Sequence, residues 1–172
     1  DVSPSNILVS MDGEAKLMDF GVARSDLDPS QAEAPSQGGR TLVKGKLAYQ
    51  SPELVARQVI DHRSDLFAVG VVLFESLTLK RLFNGDSDLE VLSQIRDADI
   101  DQQLAKHPYI PDPMKDILSR ALARHPTDRF ESASAFQGAL LDYLFGIQVR
   151  VSQVDLSAML HDLFEVELPA PE

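Results

Sequence analysis

Three oxygen-bearing side chains early in the sequence have the types and spacing for phosphate chemistry. Asp1 and Asn6 stand in the run Asp1-Val2-Ser3-Pro4-Ser5-Asn6, and Asp19 opens the triplet Asp19-Phe20-Gly21. A carboxylate at Asp1 can orient an attacking hydroxyl and accept its proton. The amide oxygen of Asn6 and the carboxylate of Asp19 are hard ligands for Mg²⁺, an ion that also binds phosphate oxygens. Gly21 leaves the backbone after Phe20 the freedom that a side chain would deny. The chemistry suited to such a set is phosphoryl transfer from a metal-bound nucleotide.

Those residues must be brought together by the chain between them. Ile7-Leu8-Val9-Ser10 and Ala15-Lys16-Leu17-Met18 flank Met11-Asp12-Gly13-Glu14. Asp-Gly between two short apolar runs predicts a β-hairpin. Its closure would set Asn6 beside Asp19. An ordinary hairpin with acidic ends is the plainer alternative, and neither short motif is specific by itself.

Farther on, the segment from Ser64 to Leu79 is the most apolar of the sequence. It predicts a helix with Ser64 as N-cap and Asp65 in its first turn. Leu66, Phe67, Val69, Val71, Val72, Leu73, Phe74 and Leu77 cover most of the circumference, which predicts burial. The segment is too short for a comfortable membrane span and carries Asp65 and Glu75. Further helices are predicted from Asp88 to Arg96 and from Asp112-Pro113, as N-cap and N1, through Met114, Ile117, Leu118, Ala121 and Leu122. Ser132 should cap another, with Phe136, Leu140, Tyr143 and Leu144 inward. Gly146 should end that helix, and Val149 to Val151 suit a short extended link. Ser152 to Phe164 carries Leu156, Met159, Leu160, Leu163 and Phe164 on one stripe, with Asp155 placed for a capping box. This last helix either packs on the lobe or begins another module, and Leu168 to Glu172 reads as linker or tail.

Composition narrows the partners. A net charge of -11 over 172 residues opposes binding to a nucleic-acid backbone or an anionic membrane surface. The chain has no cysteine, which excludes disulfides and thiolate metal sites and is compatible with a cytoplasmic setting. No uninterrupted apolar stretch could span a bilayer. The four histidines lack metal-ligand spacing; His125 reads as a loop residue. The stretch from Ser25 to Gly39 is acidic and rich in Pro and Gly, and reads as a mobile loop.

The order of these motifs resembles that of eukaryotic-type protein kinases, most closely the bacterial serine/threonine kinases. Asp1 and Asn6 match the catalytic loop, and Asp19-Phe20-Gly21 the metal-binding triplet. Gly45, Tyr49, Pro52 and Glu53 match the end of the activation segment, Asp65 and Gly70 the central helix, and Pro126 with Arg129 the signature before the last helix. The resemblance covers about residues 1–145 and implies an α+β kinase-like fold. Of that fold only the mostly α-helical C-terminal lobe would be present, with a small catalytic-loop hairpin; residues 146–172 would be an extension of one helix and a linker. The Gly-rich loop and strand lysine of the N-terminal lobe are not in this sequence.

The resemblance implies ATP and Mg²⁺ as cofactors, a protein substrate, and the N-lobe as a missing partner. It makes Asp1 the catalytic base and Asn6 and Asp19 the metal and nucleotide ligands. Phe20 and Gly21 would be structural, Glu53 and Arg129 a buried ion pair, and Asp65 an anchor of the catalytic loop. Gly45 to Tyr49 would shape the surface that meets the substrate peptide. The fragment alone should bind Mg-ATP weakly and turn nothing over. Two positions depart from the family pattern: Ser3 stands where a lysine is usual, and Lys46 where a threonine is usual. The hydroxyl and the ammonium have changed places, so both join the candidate catalytic set, with Lys46 either reaching the phosphate or recognising acidic substrates. Thr41, beside Arg40 and near Lys44 and Lys46, is a candidate phosphosite. Two other classes stay open: a pseudokinase or scaffold lobe, and a small-molecule phosphotransferase sharing Asp-x4-Asn.

Overall fold

The computed structural model describes residues 2–19 and 46–164. Asp1, Phe20, Gly21, Thr41, Gly45, the predicted mobile loop and the terminal Leu168–Glu172 stretch lie outside the described residues.

The hairpin forms as its turn residues require. Strand β1 (Ile7–Val9) pairs antiparallel with β2 (Ala15–Leu17) in the register Ile7↔Leu17, Leu8↔Lys16 and Val9↔Ala15. Gly13 takes φ +79° in the turn, a conformation that favours glycine. The N–H of Met18 donates to the carbonyl of Asn6 at 2.8 Å and carries the ladder one step beyond the strands.

The remaining described elements are helical. They are α1 (Pro52–Val55), α2 (Arg63–Thr78), α3 (Asp88–Asp97), α4 (Ile100–Ala105), α5 (Asp112–Ala121), α6 (Ala133–Gly146) and α7 (Gln153–Phe164). A 3-10 turn at Leu47–Tyr49 precedes α1. The core centres on α2, whose Phe67, Val71 and Phe74 are shielded from water together with Leu118, Ala121 and Leu122 of the α5 region. Gly70 lets these helices close. A Cβ there would lie 3.1 Å from the Ala121 Cβ and the Leu122 Cγ. Phe130 and Phe136 stack at 4.8 Å and join the loop before α6 to that helix.

Several boundaries differ from the sequence expectation for identifiable reasons. Helix α2 begins at Arg63 with His62 at the N-cap, and Ser64 is not its cap. The Ser64 hydroxyl instead donates to Glu53 Oε1. Val69 and Leu77 are 37% and 40% exposed, so α2 is buried on less of its circumference than its composition suggested. In α5, Pro111 takes the N-cap, Asp112 is the first helical residue, and the stripe Met114, Ile117, Leu118, Ala121 and Leu122 is buried as predicted. Ser132 does cap α6, accepting from the N–H of Ala135 at 3.1 Å. The six-residue α4 had not been anticipated; its cap, Asp99 accepting from the N–H of Gln102, is the local signal for it. Helix α7 has its predicted capping box, but Met159, Leu163 and Phe164 of its apolar stripe are exposed.

Candidate functional site

The site lies at the open end of the hairpin. Asn6 closes a 3-10 turn, Pro4–Asn6, and is buried. Its N–H donates to the carbonyl of Ser3 at 2.9 Å. Asp19 follows β2 with φ +62°, a left-handed conformation that a short polar side chain tolerates better than most. That turn in the backbone ends the strand and redirects the chain at the residue whose carboxylate the chemistry needs.

Lys46 arrives from the other side of a long segment. Its ammonium donates to Asn6 Oδ1 at 3.3 Å and lies 3.5 Å from Asp19 Oδ2. A cation is therefore already shared between the two oxygens assigned as metal ligands. The pair converges on one point and offers hard oxygen donors, which fits Mg²⁺, an ion that takes one or two protein ligands and completes its shell with phosphate and water. Among the described residues no group of three His, Asp or Glu side chains is placed to hold a metal.

Ser3 is 1% exposed, and its hydroxyl shares a hydrogen bond with that of Ser5 at 3.0 Å. The hydroxyl is used within its own loop. Asp65 stands in the first turn of α2 as expected.

The described residues also hold a buried ion pair. Arg129 donates through Nη1 to Glu53 Oε1 at 2.8 Å and through Nη2 to Glu53 Oε2 at 2.7 Å. Its other donors reach the carbonyls of Ala123, Arg63 and Arg124. The guanidinium also lies 4.8 Å from the centre of the Phe67 ring. Burial pushes the Glu53 carboxyl up, but the bonds from Arg129 and Ser64 outweigh it and bring the pKa down to about 2. The pair fastens α1 to the loop before α6.

A second polar group had no signature in the sequence. The Tyr49 hydroxyl donates to Glu75 Oε2 at 2.6 Å and accepts from Arg81, whose Nη1 lies 3.5 Å from the same carboxylate oxygen. Burial raises the Tyr49 pKa, and the hydrogen bond and charge of Glu75 raise it further against the opposing pull of Arg81. These residues are 26 and 32 positions apart, so no local pattern could have joined them.

A short hairpin thus brings an amide oxygen and a carboxylate together at its open end, beside a lobe of helices. The model of the protein kinase domain matches residues 1–141, and the chain belongs to that family. It is 40% identical over 135 residues to the serine/threonine-protein kinase PknL of Mycobacterium tuberculosis, covering 78% of this chain and 32% of that one. It is 36% identical over 146 residues to the probable serine/threonine-protein kinase PknB of Bifidobacterium longum, covering 85% and 21%. A third relative, the tyrosine-protein kinase MasK of Myxococcus xanthus, is 37% identical over 145 residues, covering 84% and 21%. The chain thus spans between a fifth and a third of these relatives. Among the described residues no helix is long and apolar enough to cross a membrane.

Proposed function

We propose that this chain supplies the catalytic half of a protein serine/threonine kinase, which transfers the γ-phosphate of ATP to a substrate hydroxyl. The hydroxyl oxygen bonds to the phosphorus, the bond to the β,γ-bridging oxygen breaks, and ADP leaves. Asp1 orients the hydroxyl and takes its proton. Asn6 and Asp19 hold Mg²⁺, which when bound neutralises the phosphate oxygens. Asp65 anchors the catalytic loop, and Glu53 with Arg129 fixes the end of the activation segment. The N-lobe of the same kinase supplies the adenine site and most phosphate contacts.

The observation that carries this reading is the Lys46 ammonium, 3.3 Å from Asn6 Oδ1 and 3.5 Å from Asp19 Oδ2. A transition state with charge spread over phosphoryl oxygens is stabilised by a fixed cation beside the metal. Kinases of this type usually bring that cation from the residue at the position of Ser3. Here Ser3 is buried against Ser5, and the flexible stem of Lys46 brings an ammonium to the phosphate end of the site. Lys46 is assigned to the phosphate, in preference to an acidic substrate.

The test uses the full-length kinase and peptides with serine, threonine or tyrosine acceptors. Lys46→Thr should lower kcat by roughly a hundredfold, the scale of a lost transition-state donor. Adding Ser3→Lys should restore part of it. An unchanged kcat with a raised KM for peptide would return Lys46 to substrate recognition. Labelling of tyrosine alone would overturn the serine/threonine assignment, and absence of transfer with intact nucleotide binding would favour a scaffold lobe.

A further inference from the structure

Helix α7 lies beyond the family match, which ends at residue 141, and it closes on the turn of the catalytic hairpin. The Ser157 hydroxyl donates to the carbonyl of Met11 at 2.6 Å, across 146 positions of sequence. Gly13 is buried under the start of the helix. A Cβ there would stand 2.1 Å from the carbonyl oxygen of Gln153 and 2.9 Å from the Ser157 nitrogen. Glycine is therefore required at position 13 twice, by its positive φ and by the helix backbone pressed against it. Its start is held by the Ser152 and Asp155 capping box, in which the Ser152 N–H donates to Asp155 Oδ2 at 2.7 Å. One turn beyond Ser157, His161 is buried, while Val154, Met159 and Leu163 face solvent. Ser157 and His161, flanked by the half-buried Leu156 and Leu160, form the side turned to the protein.

The hairpin needs such a hold. Two strands of three residues are marginal by themselves. Leu8, Val9, Leu17 and Met18 are 40–50% exposed, so they add little core. The strands run about 10 Å, at roughly 3.3 Å per residue, from the gripped turn to Asn6 and Asp19. Any tilt of the turn is passed along that short ladder to the two metal ligands.

We propose that α7 is a positioning element for the phosphate end of the site, with Ser157 its positioning residue and Gly13 its seat. The catalytic consequence rests on the kinase reading above; the mechanical link does not.

Two measurements separate them. Hydrogen exchange on this chain reads the hairpin amides of Ser10, Gly13 and Met18, all donors within the hairpin. Ser157→Ala should speed their exchange by roughly three- to tenfold, the worth of one hydrogen bond. Gly13→Ala should speed it more, and Ser157→Thr, which keeps the hydroxyl, should stay near wild type. In the full-length kinase, Ser157→Ala should raise the Mg²⁺ concentration for half-maximal rate several-fold and leave kcat at saturating Mg²⁺ within about twofold. Unchanged exchange in both Ser157→Ala and Gly13→Ala would overturn the link. Faster exchange with an unaltered Mg²⁺ requirement would reduce α7 to a structural support and overturn the positioning role. A wild-type kinase without phosphoryl transfer would count against the kinase reading alone, and the exchange result would still decide the link.

Discussion

Removing either member of the Glu53–Arg129 pair should be costly, and the two costs should differ. Both side chains are essentially dry, at 2% and 0% exposure. Glu53→Ala removes two of the five hydrogen bonds that Arg129 makes. The guanidinium keeps the carbonyls of Ala123, Arg63 and Arg124 and its place over Phe67. The cost should sit at the lower end for breaking a buried pair, about 3 kcal/mol. Arg129→Ala leaves a buried carboxylate held by Ser64 and strips three carbonyls of a donor as well. That places it at about 5 kcal/mol, the upper end. With both gone the stripped carbonyls remain but no charge is stranded, so the double variant should also cost about 5 kcal/mol. Set against a sum of about 8, that gives a coupling of about 3 kcal/mol. Arg129→Lys, which keeps the charge but not the five-donor fork, should lose about 2 kcal/mol. Urea denaturation of this chain at pH 7 measures all four. Equal single costs with an additive double would refute both the pairing and the asymmetry.

Four further outcomes are expected. Glu53 titrates at about 2 in the fold against an ordinary 4.5, so its contribution is present above pH 4.5 and is lost as pH falls toward 2. The acid side of a stability–pH curve should flatten in Glu53→Gln. The Tyr49 pKa is raised above its ordinary 10.0, so its contribution is complete below pH 10 and is lost as pH rises; Tyr49→Phe should remove that alkaline slope. The Ser51 hydroxyl is buried and finds no hydrogen-bond partner among the described residues, so Ser51→Ala should stabilise the lobe by up to about 1 kcal/mol, and a lower urea midpoint would contradict this. Thr41 should carry phosphate in the active full-length kinase, read by mass spectrometry, and full activity of Thr41→Ala would remove its regulatory role.

The hairpin was legible because its signal is local: Asp12-Gly13 between apolar runs leaves the chain little choice. The α5 stripe and the Ser132 cap were legible for the same reason. Ser64 misled because a hydroxyl that can cap a helix can equally bond a carboxylate, and Glu53 lies eleven residues away in sequence. The apolar stripe of α7 held in part: Leu156 and Leu160 are half-buried, whereas Met159, Leu163 and Phe164 face solvent because the grip on Met11 and Gly13 turns Ser157 and His161 inward. At the site, the contact of Lys46 with Asn6 spans 40 positions, and the sequence pointed to Lys46 only as a departure from the family pattern. The Tyr49, Glu75 and Arg81 group had no such clue.

The distance in sequence between Glu53 and Arg129 also matters while the protein is being made. The carboxylate leaves the ribosome 76 residues ahead of its guanidinium. At typical synthesis rates of about 5–20 residues per second, that is a delay of roughly 4 to 15 s. During it, Glu53 has no cation to accompany it out of water, and a lone carboxylate resists burial. The segment around Glu53 must therefore stay hydrated while α2 to α5 emerge, and it can dock only when the stretch before α6 arrives. The nascent lobe is thus completed from its far end, and a pause in translation before Arg129 would prolong its exposed state.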